Sequence, residues 1–213
     1  MKKHIIKRKN GHTVTFIGVN HEKALENNEI NNVIQGNAKI LLEENTFLNH
    51  NQLMKKFTNL QVYEPTSILI YAKLNLKKQL NRIYGWDSRP AYLKNEQTSL
   101  YGADRNKKPF FYMHTMKEVN NYFIKHIPNG NNKYKSFINF SKTIQDDKLD
   151  NLIKNKKINK KFVEELHDRL RKEHSEIADD YTIKNVLPQY KNEDVTIIAG
   201  SKHYYNLIKN FKV

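Results

Sequence analysis

Two apolar runs of β type stand near opposite ends of the chain, and both close in the same figure. Residues 14–21 read VTFIGVNH and residues 195–203 read VTIIAGSKH: a run of strand length, a Gly, and a His three residues after it. β-Branched and aromatic residues bounded by Gly favour strand over helix. With segments of helical period between the two runs, the pattern predicts an α/β chain whose last strand returns beside the first. The Gly has a mechanical use, because it lets the backbone turn sharply out of the strand and lets the His reach back over the sheet edge. With 7 Gly and 9 His in 213 residues, chance supplies about 0.3 such figures. A single His after a strand is usually structural. Two of them, each ending an apolar run, point to a shared role.

The segments between follow from local chemistry. HIIKRKNGHTVTFIG reads as a hairpin around Asn10-Gly11, the strongest two-residue turn signal, with Thr13 to Gly18 as its second arm. From Glu22 to Gln35 the period is helical, with Ala24, Leu25, Ile30, Val33 and Ile34 apolar and Gly36 at the C-terminal cap. AKILLEEN is a further strand that ends in Glu43 and Glu44, and strand, helix, strand is a right-handed parallel βαβ unit. A second amphipathic helix is predicted over 66–84, running into a loop at YGWDSRPAYL that Gly85 and Pro90 impose. Thr115-x-x-Glu118 resembles a capping box for a helix to about His126. Residues 134–187 read as two Lys-rich helices with a break near Lys156–Asn159. A strand from Asp194 to Gly200 and a terminal helix through HYYNLIKNF close the chain. The expectation is one α/β domain over 1–213: a mixed, mainly parallel central sheet with N- and C-terminal strands adjacent, flanked by helices, with a helical lobe over approximately 105–190.

Composition narrows the chemistry. The chain has no Cys, which excludes disulfides, thiolate metal sites and Cys nucleophiles. No apolar run approaches the roughly 18 residues of a membrane span, and none follows the basic N-terminus as a leader would require, so a cytoplasmic protein without membrane partners is expected. The net charge of +15 invites a nucleic-acid reading. Lys outnumbers Arg, however, and Asn is abundant, which is what an AT-rich coding sequence produces without selection for a partner. Arg is the residue expected where bidentate phosphate or base contacts matter. Nucleic acid is therefore a disfavoured partner, and a Lys-coated surface is the simpler account. The AT-rich character also suits a phage or another virus, whose protein would work in the host cytoplasm. P-loop, Gly-x-Gly-x-x-Gly, Gly-x-Ser-x-Gly and His-Glu-x-x-His figures are all absent. Glu164-x-x-His167 on a helix lacks a second copy and reads as a solvated face. Tyr204 and Tyr205 open the terminal helix and read as core.

Ligands of open parallel sheets sit beyond the carboxyl ends of the strands. The strand Val14–Ile17 delivers His21, Lys39–Leu42 delivers Glu43, and Val195–Ala199 delivers His203; parallel strands bring all three to one edge. Glu44, next in line, points the other way as an exposed charge. Asp87 and Arg89, in the Gly/Pro-bounded segment GWDSRP, are candidates to orient a catalytic His and to stabilise an anionic group; the plainer account is a local Asp–Arg staple with Trp86 plugging the core.

Gly18-Val19-Asn20-His21, Glu43 and Gly200-Ser201-Lys202-His203 resemble the signature of the TraB/TIKI family, which shares a superfamily with the erythromycin-esterase and ChaN-like proteins. The resemblance covers residues 13–45 and 193–209. It implies an α/β fold and a hydrolytic site made by His21, Glu43 and His203, with a divalent metal in the TIKI branch and metal-free His/Glu chemistry in the esterase branch. The chain departs from the pattern before its last strand. RKEHSEIADDY at 171–181 stands where an Arg-Asn-x-x-Met-like motif is expected, with His174 in place of the Arg. Two routes to hydrolysis of a peptide, ester or amide stay open. In one, His21, Glu43 and His203 ligate Mn²⁺, Zn²⁺ or Co²⁺, which activates water. In the other, His21 is the general base, Glu43 sets its tautomer and Arg89 stabilises the oxyanion. The alternative to an enzyme is a binding protein on the same fold, either a metal or haem carrier or a basic nucleic-acid binder.

Overall fold

The computed structural model describes residues 1–21, 23–60, 64–88, 172 and 175–212. The chain divides into two compact units, Met1–Ser88 with Asp179–Val213, and Arg89–Ala178. The first holds the described sheet. The capping box at Thr115 and the Lys-rich segments up to residue 171 lie outside the described residues, as does most of the helical lobe expected over 105–190.

Among the described residues five strands form one sheet in the order β1-β2-β5-β3-β4, with β1 Lys2–Lys7, β2 Thr13–Val19, β3 Lys39–Asn45, β4 Ile83–Asp87 and β5 Val195–Gly200. β1 is antiparallel to β2, joined through the Asn10-Gly11 turn, where Gly11 takes φ +89°. The remaining pairs are parallel. The first and last apolar runs lie side by side, in register from Val14↔Val195 to Val19↔Gly200. β5 sits between β2 and β3 and is buried along its whole length, which accounts for a sequence that is apolar apart from Thr196. β1 is an edge strand, exposed nearly throughout, and its lysines blunt that edge against pairing with another chain.

Helices cover both faces. On one face α1 (Asn27–Ile34), α2 (His50–Thr58) and α3 (Pro65–Leu76) pack against Ile17, Val19, Ile40, Leu42, Ile83 and Ile198. On the other, α4 (Ser201–Asn210) and the π and 3-10 turns of 182–190 pack against Val14, Phe16, Leu41, Trp86, Ile197 and Ala199. The strands divide their side chains between these cores by the two-residue period. Among the described residues no helix is long and apolar enough to cross a membrane.

Three boundaries differ from the sequence expectation. α1 begins at Asn27, where the carboxylates of Glu26 and Glu29 form a reciprocal capping box. The helix expected over 66–84 ends at Leu76, because Lys78 takes φ +55° and Gln79 N–H bonds back to Leu74 O at 2.9 Å. Past that stop the chain makes a 3-10 turn and enters β4, so GWD is strand and not loop. Its Gly85 is required by the neighbouring strand: a Cβ there would stand 2.6 Å from Glu44 O and 2.7 Å from Asn45 O. α2 was not foreseen, although Asn49 caps it by accepting from Gln52 N–H at 2.9 Å while Gln52 bonds back to Asn49 N–H at 3.0 Å.

Buried polar groups at the far end of the sheet serve the fold. The guanidinium of Arg82, 5% exposed, donates to Ile34 O at 3.1 Å and Ala38 O at 3.0 Å and so closes the C-terminus of α1, where a cation also opposes the helix dipole. Burial lowers its pKa below the usual guanidinium value.

Candidate active site

The carboxyl ends of β2, β3 and β5 point to one edge of the sheet. At that edge His21 Nε2 lies 3.6 Å from Glu43 Oε2, and His203 Nε2 lies 3.6 Å from Glu43 Oε1. Three residues far apart in sequence are thus brought together around one carboxylate.

Each arrives by a different route. β2 ends at Val19, and the turn after it lays the His21 imidazole across Gly200. A Cβ at Gly200 would stand 2.0 Å from His21 Nε2, so this second Gly is required by the first His. Glu43 lies inside β3, two residues before its end. Its parity with Leu41 turns it to the α4 face, and its Oε2 accepts from Gly200 N–H at 2.8 Å. That amide opens α4, where the helix dipole favours a negative charge. His203 lies in the first turn of α4, its ring edge-on to Trp86 with centroids 5.4 Å apart. Trp86 is fully buried and anchored by its Nε1–H to Ile198 O at 2.9 Å.

A fourth side chain completes the cluster, one not singled out from sequence. Asp179 Oδ1 lies 2.6 Å from His203 Nδ1, and Asn206, one turn along α4 from His203, donates from Nδ2 to Asp179 Oδ2 at 3.1 Å. His203 and Asp179 are both enclosed, with side-chain exposures of 6% and 1%, whereas His21 stands half open at 51%. An ionised carboxylate only accepts, so a proton on Nδ1 satisfies the contact with Asp179, and Nε2 faces Glu43. The carboxylate within hydrogen-bond distance of an imidazole is thus Asp179, on His203, while Glu43 lies 3.6 Å from both rings. A signal for it exists in the sequence. Asp180 pairs with Lys184 at 3.0 Å, an i,i+4 figure of an exposed helix face, and the neighbouring Asp179 is then turned about 100° away, towards the interior.

The other expected residues fall out differently. Asp87 is the last residue of β4 and fully buried. Its backbone O accepts from Thr46 N–H at 3.0 Å. Arg89 and His174 lie outside the described residues. Glu44 does point to the opposite face, but it is buried there and paired with Lys56 Nζ at 2.8 Å instead of exposed. Tyr204 packs on Gly18 as expected, whereas Tyr205 is 54% exposed, in contact with Lys2.

A shared divalent ion needs its donors to face one point. Here the two imidazoles address different oxygens of Glu43, and one of those oxygens is already bonded to the Gly200 amide. Among the described residues no group of three or more His, Asp or Glu side chains is placed to hold a metal ion. No family model, curated protein or solved structure matches the chain, and its functional reading rests on this geometry.

Proposed function

We propose that the chain is a hydrolase whose site works by general acid–base catalysis, with His203 as base, Asp179 as the residue that orients it, Glu43 as the bridging carboxylate and His21 as acid. The observation that carries this is the enclosed His203–Asp179 pair at 2.6 Å with Nε2 directed to Glu43. Holding an imidazole in one tautomer beside a second acceptor is the arrangement that draws a proton from water or from an O–H group between them. The water proton passes to His203 Nε2, its oxygen bonds to the acyl carbon, the bond to the leaving group breaks, and His21 supplies that group's proton. His21 suits the last task because it is the one member of the set open to solvent. The resemblance of the paired Gly-x-x-His motifs to the TraB/TIKI and erythromycin-esterase-like proteins supports the same reaction class, with a small-molecule ester, an amide or a peptide as substrate.

The test is turnover of p-nitrophenyl acetate, an acyl p-nitroanilide and labelled casein by protein dialysed against EDTA, alongside His203→Ala. Turnover that survives dialysis and falls about 10²-fold or more in the variant supports the reading. Turnover of none of the three opposes it. In parallel, the thermal midpoint is measured with Mn²⁺, Zn²⁺ or Co²⁺ for wild type and His21→Ala/His203→Ala. An ion at about 100 times its Kd would add about 2.7 kcal/mol. A shift of that size present only in wild type would replace the acid–base route with the metal route.

A further inference from the structure

Ser88 is fully buried, and its Oγ has no hydrogen-bond partner among the described residues. Buried hydroxyls are nearly always bonded, because an unbonded one destabilises the fold and Ala in its place would not. The location gives the exception a reason. β4 turns Tyr84 and Trp86 to the sheet face covered by α4, the face on which Trp86 meets His203. Asp87 O is still bonded to Thr46 N–H, so the chain stays extended beside β3 through residue 87. The alternation then sets Ser88 on the Trp86 face, one two-residue step of about 7 Å further along. Leu42 pairs with Gly85 and Asn45 with Asp87, so Glu43 stands level with Gly85–Trp86 and the step carries Ser88 past it, at the same carboxyl-end edge of the sheet. The helical segment bearing Asp179 passes the same point, since Thr182, one turn after Asp179, donates from Oγ1 to Trp86 O at 2.9 Å.

We propose that Ser88 is a further substrate-binding residue of the site, a hydroxyl kept unbonded so that it can donate to the substrate carbonyl oxygen as negative charge builds there. This rests on the hydrolase reading above. Enclosure does not set Ser88 apart, because His203 and Glu43 are also nearly inaccessible, at 6% and 10%.

The experiment compares Ser88→Ala and Ser88→Cys with wild type and His203→Ala, reading thermal midpoint, kcat and KM on whichever of the three substrates above is turned over. Cys keeps the volume and weakens the donor. The expected result is a midpoint unchanged or raised in Ser88→Ala, with kcat down at least 10-fold in both Ser88 variants and KM changed less. Wild-type kcat in Ser88→Ala, with His203→Ala inactive, overturns the role of Ser88 and leaves the hydrolase reading standing. A clearly lowered midpoint in Ser88→Ala shows that the hydroxyl is bonded within the fold and also overturns it. Absence of turnover by wild type overturns both.

Discussion

At the scale of single residues, His21 and Gly200 behave as one unit. The φ of −59° at Gly200 is open to any side chain, so the cost of Gly200→Ala is steric and falls on the His21 ring, 2.0 Å from the added Cβ. Because that ring is half exposed, it can swing outward with little loss of stability. Gly200→Ala is therefore expected to leave the thermal midpoint within about 2 °C of wild type and to lower kcat as far as His21→Ala does. The double variant should be no worse than either single one, because both remove the same contact. Additive losses would show that Gly200 acts through something other than His21. Asp179 makes the complementary case. Asp179→Asn keeps the shape and weakens the hold on the Nδ1 proton, which should cost about 10²–10⁴ in kcat while the protein stays folded. Circular dichroism and the kinetics, measured together, decide it. The two Gly-x-x-His figures made the pairing legible in sequence, since a short repeat closing two strands carries positional information. Asp179 was harder to see, because its meaning depends on which helix face is buried, and only the Asp180–Lys184 spacing hinted at that.

At the scale of elements, legibility followed the strength of the local signal. The hairpin, β3 and β5 could be read because Asn-Gly and continuous β-branched runs act over a few residues. The stop of α3 was invisible because Lys78 takes the left-handed conformation usually given to Gly. β4 was hidden behind it, with Gly85 suggesting a loop where close approach of β3 was the real demand. Glu44 was misjudged for a related reason. The period places it on the opposite face correctly, but only tertiary structure shows α2 covering that face and supplying Lys56. This pair has a testable consequence. Lys56→Ala leaves a carboxylate of 7% exposure without its cation and should cost about 1–3 kcal/mol in urea denaturation. Glu44→Gln with Lys56→Met should recover most of that. A cost equal in single and double variants would assign the loss to side-chain packing instead of charge.

At the scale of the whole molecule, the sheet closes by joining segments about 180 residues apart in sequence, and polar bonds as well as strand pairing hold that junction. Asn10 Nδ2 donates to Lys191 O at 2.8 Å, Arg8 Nη1 to Glu193 O at 3.2 Å, and Thr13 N–H to Asp194 Oδ1 at 2.7 Å. The Asp194 carboxylate is the member of this set whose charge changes in acid. The backbone N–H of Thr13 is the main cause that holds its pKa below the ordinary 3.8. The Thr13 hydroxyl at 3.1 Å and the nearby His12 act in the same direction, against a smaller opposing effect of burial. A carboxyl group with a depressed folded-state pKa binds protons more readily when unfolded. Its contribution is therefore complete above the unfolded value and is lost as pH falls through the folded one. Because the side chain is 53% exposed, solvent screening keeps the contribution small. Wild type should melt about 1–2 °C above Asp194→Asn at pH 6. The gap should close as pH drops below about 4, the acid form of Asp194 having no more hold on the Thr13 amide than the Asn does. Melting curves of both proteins from pH 2 to 7 measure this directly. A gap that stays constant across that range would mean that shape, not charge, ties the first strand to the last.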